Sequence, residues 1–145
     1  MAALIVLLLA FVLFLLGGQL GLTWFEVWTH ALRGALTCML LLTASAHWGK
    51  RRADLIAMVP RRFPMPGLLV TITGVIELAG AAGLIIKTTH RIAGVLLAVF
   101  FLAMFPANVR AAKEKLTIGG RPVLGVASRG LIQIVFIGAA LLCAM

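Results

Sequence analysis

Gly67–Ile86 reads GLLVTITGVIELAGAAGLII, twenty residues with a single charge, Glu77, near the middle. About 20 apolar residues in helical form match the roughly 30 Å hydrocarbon core of a bilayer. The stretch therefore predicts a transmembrane helix. A carboxylate at that depth costs at least about 2.5 kcal/mol unless it is paired, protonated or wetted. Glu77 thus predicts a polar site inside the membrane as well as a span.

Four more apolar segments flank this one: Ala2–Leu22, Trp28–Trp48, Ile92–Val109 and Val126–Met145. The first lacks the basic start and small-x-small cleavage site of a signal peptide, so it reads as a retained span. Of the 145 residues, 63% are hydrophobic and 12% charged, with mean hydropathy +1.15. A soluble domain carries nearer a quarter charged residues. The class is an integral membrane protein with no soluble domain. Cys38 and Cys143 lie in separate apolar segments without a CxxC, so no thioredoxin or zinc motif is present. Neither a GxGxxG nor a P-loop occurs, and no His pair has i, i+4 spacing, so there is no metal or haem signature.

The net charge is +9, from 13 Lys and Arg against 4 Asp and Glu. The basic residues cluster between apolar segments, which points to phospholipid headgroups and away from nucleic acid. With five spans, the loops Gly49–Pro66 and Arg110–Pro122 share a side. That side, counting Arg129, carries ten basic residues against Arg33, Lys87 and Arg91 opposite. The positive-inside rule places the long basic loops in the cytoplasm. Arg33 is expected to snorkel outward. Arg51–Val59 fits either a short amphipathic helix at the interface or an irregular basic loop.

Depth along the spans brings a polar set together. His47 and Asn108 stand at the cytoplasmic ends of the second and fourth segments, and Arg129 in the first turn of the fifth. Gln133 shares a face with Arg129, four residues away. Glu77 lies about ten residues into its helix, roughly 15 Å down. Lipid offers no hydrogen bonds, so these groups are expected to turn inward onto one pocket, with Thr71 and Thr73 as auxiliaries. Each has a blander reading. Glu77 is a protonated carboxyl on a backbone carbonyl, or it pairs with Arg129 or with His47. His47 marks the interface, Asn108 caps its helix, and Arg129 snorkels to phosphate.

Several motifs carry a family resemblance: Ala46-His47-Trp48, Met58-Val59-Pro60, Phe63-Pro64-Met65-Pro66, Gly74-Val75-Ile76-Glu77-Leu78-Ala79-Gly80, Phe105-Pro106-Ala107-Asn108-Val109 and Arg129-Gly130-Leu131-Ile132-Gln133. In order and spacing, from about Ala31 to Met145, the chain resembles the DoxX-like family of small bacterial membrane proteins. Trp48, Gly130 and Ile132 depart from that family's usual Phe, Leu and Pro. The resemblance implies a four-helix transmembrane core. It also leans toward redox or quinone chemistry, since the family takes its name from a subunit associated with thiosulfate:quinone oxidoreductase.

The expected fold is an all-α polytopic transmembrane bundle: an N-terminal transmembrane helix, residues 1–23, and a DoxX-like four-helix membrane domain, residues 24–145. The leading functional expectation is a non-catalytic or weakly catalytic bundle in the bacterial inner membrane. Its pocket of His47, Glu77, Asn108, Arg129 and Gln133 would hold a quinone or similar lipophilic molecule. Two alternatives stand beside it. One is an accessory subunit of a membrane complex, docked through Ala2–Leu22 or as a homo-oligomer. The other is a small transporter or proton-linked channel.

Overall fold

The computed structural model describes residues 1–145. Six helices follow one another: α1 (Ala2–Gln19), α2 (Trp28–Trp48), α3 (Arg52–Met58), α4 (Pro66–Ile85), α5 (His90–Lys113) and α6 (Val126–Cys143). A 3-10 turn, Thr23–Phe25, precedes α2, and a hairpin of β1 (Thr117–Ile118) and β2 (Arg121–Pro122) precedes α6. The all-α bundle is as expected.

Four helices, α1, α4, α5 and α6, are long and apolar enough to cross a membrane. The fifth expected span, α2, has the length but not the apolarity. Its position explains this. It packs against α1, α4 and α6, and ten of its 21 residues are buried, against two of 18 in α1. A helix packed against other helices is freed from matching lipid there and tolerates the buried Arg33 and His47.

Local chemistry sets the boundaries. Gly21, at φ +97°, closes α1, and the Leu22 N–H bonds back to the Gly17 carbonyl, as expected of a glycine-terminated helix. Pro66 opens α4, where its missing N–H costs nothing. Arg51–Val59, open between helix and loop, forms the seven-residue α3. The hairpin turns on Gly119 and Gly120, both at positive φ as a two-residue turn demands. The Gly119 N–H donates to Asp54 Oδ2 of α3 at 2.8 Å.

Helices α2, α4, α5 and α6 form a ring in which each touches the next, and α1 lies outside on α2. The apolar core occupies one end of this ring: Leu32 to Leu40 of α2, Ala81 and Leu84 of α4, Ala93 to Phe101 of α5, and Ala139 to Cys143 of α6. Arg33 belongs to this end. It does not snorkel; it is buried, and its Nε donates to the Cys143 carbonyl at 3.2 Å. The last carbonyls of α6 lack intrahelical donors and carry partial negative charge, so they hold the guanidinium better than lipid does.

Candidate functional site

At the other, basic end of the ring, the apolar core gives way to polar side chains on all four helices. Glu77 lies four residues before Ala81, about 6 Å along α4. His47 lies seven residues beyond Leu40, Asn108 seven beyond Phe101, and Gln133 six before Ala139. His47, Glu77 and Gln133 are buried, and Asn108 and Arg129 half-buried.

The five residues form two groups, one an ion-pair contact and the other hydrogen-bonded. The first joins α2 to α4. His47 Nδ1 donates to the Val70 carbonyl at 2.6 Å, with Thr73 Oγ1 a longer acceptor at 3.4 Å. This fixes the ring so that Nε2 faces Glu77 Oε1 at 3.5 Å. Gly74 permits the approach, since a Cβ there would lie 2.8 Å from His47 and from Trp48. One oxygen, Glu77 Oε2, is buried without any partner.

The second group joins α5 to α6. An Arg129 terminal nitrogen donates to Asn108 Oδ1 at 2.6 Å, and Asn108 Nδ2 donates to Gln133 Oε1 at 3.1 Å. Gln133 Nε2 in turn donates to the Phe101 carbonyl. The chain runs one way, from a cation through two amides to the backbone, so each donor polarises the next. Arg129 Nε is buried without a partner.

These contacts decide between the open readings. Glu77 pairs with His47, and neither with Arg129 nor with a backbone carbonyl alone. Asn108 caps nothing, because α5 continues five residues past it and its side chain faces α6. Thr73 touches His47, whereas Thr71 serves a different residue. That residue is Arg52, read from the sequence only as a headgroup contact. Its guanidinium donates to the His47 carbonyl at 2.7 Å, the Gly67 carbonyl at 2.9 Å and Thr71 Oγ1 at 3.0 Å. Arg52 thus clasps the end of α2 to the start of α4 behind the imidazole. Nothing in the spacing of Arg52 separates it from its exposed neighbours Lys50 and Arg51.

A protein family described as a domain of unknown function (DUF8561) matches residues 36–144. The chain belongs to this family. The DUF8561 stretch contains all five polar residues and omits α1. No curated protein and no solved structure matches the chain.

Chemically, the first group is a buried imidazole–carboxyl pair. With Nδ1 committed to a carbonyl, Nε2 faces Glu77 Oε1, while Oε2 stays free to meet another molecule. The second group offers the complementary valence, a guanidinium N–H held in place by two amides. No hydrogen bond or ion pair joins the groups.

Proposed function

We propose that this integral membrane protein binds a small lipophilic molecule with a polar head, such as a quinone, between its two helix pairs in the bacterial inner membrane, with the basic loops cytoplasmic. The observation that carries the reading is Glu77 Oε2, an acceptor that is nine-tenths buried and unpartnered. Leaving a buried carboxylate oxygen unsatisfied is costly, and a hydroxyl, as on the reduced quinol form of such a ligand, would satisfy it. Arg129 Nε, the matching orphan donor, would meet a second ligand oxygen. His47 would hold the Glu77 carboxyl in place, and Asn108 and Gln133 would aim Arg129.

The packing fits ligand entry at the basic end. Gly80 against Leu97 and Gly83 against Ala93 bring α4 onto α5 at the far end, where Arg33 also ties α2 to α6. Between Glu77 and Arg129 there is no such tie. The DoxX-like motifs, with their quinone association, lean the same way. Catalysis is not part of the proposal.

The test is stabilisation by a short-chain quinone supplied in its reduced, quinol form. At about 100 times its Kd, a ligand adds about 2.7 kcal/mol, which raises the melting temperature by several degrees. The expected result is a clear rise for wild type and at most half of it for Glu77→Gln, compared at each variant's own ligand-free baseline. Equal rises would remove Glu77 from the site.

One observation favours an assembly partner as well. The apolar side chains of Ile5, Leu8, Leu9, Val12, Leu13 and Leu16 are exposed along α1, outside the ring. A membrane subunit or a second copy of the chain packed there would be retained on purification in mild detergent.

A further inference from the structure

A second site lies apart from the polar groups, at the membrane surface. A recess of about 550 Å³ opens between the segment after α3 and the last turns of α5. Arg61, Arg62, Arg110 and Lys113 line it, against one carboxylate, Glu114. That carboxylate is already engaged. Arg110 Nε donates to Glu114 Oε1 at 2.8 Å and a terminal nitrogen to Oε2 at 3.2 Å. The contact holds the Glu114 carboxyl below the usual carboxylate range, so it stays ionised near neutral pH. The other terminal nitrogen of Arg110 donates to the Val59 carbonyl, which fixes α5 against the Pro60–Arg62 segment. The recess is therefore built, with its anion spent on one cation. Arg61, Arg62 and Lys113 form no ion pair; Arg62 lies only over the Phe63 ring, 5.1 Å from its centre.

The remaining walls are Pro60, Pro106 and Val109, all without charge. From Pro106 to Lys113, α5 climbs about 10 Å, from the end of an apolar span to a cluster of cations. That gradient matches the passage from acyl chain through glycerol to headgroup. We propose that the recess seats the phosphate of one anionic phospholipid, held by Arg61, Arg62 and Lys113, with its glycerol and first methylenes against Pro106 and Val109. Basic recesses between transmembrane helices at this level suit such headgroups, and the volume falls in the range of small-molecule clefts. The site does not depend on the quinone reading.

Purified protein in neutral detergent is titrated with phosphatidylglycerol, phosphatidylcholine or free glycerol phosphate, and bound molecules are counted by native mass spectrometry. One phosphatidylglycerol should be retained at about tenfold lower concentration than phosphatidylcholine. The triple variant R61Q/R62Q/K113Q should erase that preference. The variant K50Q/K115Q/R121Q removes as many exposed cations outside the recess and should keep the preference within about twofold. Glu114→Gln, which releases Arg110, should tighten retention about threefold. Equal losses in the two triple variants would show a diffuse field with no site and overturn the proposal. So would equal retention of the two lipids by wild type. Glycerol phosphate binding as tightly as the lipid would assign a soluble phosphate ester and overturn the lipid occupant.

Discussion

His47 Nε2 and Glu77 Oε1 face each other 3.5 Å apart, and both residues are buried. Every alternative partner of Glu77 is absent, so removing the imidazole strands the carboxyl. His47→Ala should destabilise the protein by about 3 kcal/mol. Adding Glu77→Leu should restore part of that loss, because a buried acid with no partner is worse than none. A double-mutant cycle by denaturation in mixed micelles measures the coupling, and additive losses would mean that the two side chains do not interact. The members of this cluster were legible in the sequence, because each is a polar residue interrupting an apolar run at a countable depth. Their pairing was not legible. Which residue meets Glu77 depends on the rotation of α2 and α4 about their axes, and Gly74 sets that by letting His47 and Trp48 lie against its bare backbone.

Long apolar periodicity marks these elements more surely than any single residue does. The bounds of α2 and the start of α6 agree with the apolar segments. α5 does not stop at Val109, although Pro106 removes an N–H from its interior and crowds the Leu102 carbonyl. In a membrane helix, neighbouring groups absorb such a break. Beyond it, Arg110 and Lys113 favour helix continuation, being cations near a C-terminus. The hairpin passed as loop because its strands have two residues each, although the Gly119-Gly120 pair is a turn signal. So short a hairpin needs an anchor, which Asp54 provides by accepting the Gly119 N–H. Asp54→Ala should free it. Amides of residues 117–122 should exchange about fivefold faster, as expected for loss of about 1 kcal/mol, with the melting temperature unchanged. Unchanged exchange would show that Asp54 does not hold the turn.

At the scale of the molecule, two helix pairs are pinned together at one end and carry complementary polar groups at the other. Without a hydrophobic force between helices in lipid, pinning rests on close contact and hydrogen bonds. Small residues supply the contact, but they are not equivalent. A Cβ on Gly94 of α5 would lie 2.5 Å from the Ala140 carbonyl oxygen and 3.0 Å from the Ala144 backbone of α6. Neither can move without shifting the helix. A Cβ on Gly80 of α4 would also lie 2.5 Å from its neighbour, but that neighbour is a Leu97 methyl, a side-chain atom that yields more readily than backbone. Equal clashes should therefore have unequal consequences. Gly94→Ala should cost about 3 kcal/mol and Gly80→Ala about 1 kcal/mol, the upper and lower parts of the range for overpacking. Denaturation in mixed micelles compares them directly. Because the Asn108–Gln133 bond spans the same α5–α6 seam, Gly94→Ala should also loosen Arg129 at the far end and lower quinone-dependent stabilisation. Gly80→Ala should leave it nearly intact. If the two substitutions cost the same and affect ligand stabilisation alike, the seam does not transmit and the two ends of the bundle are independent.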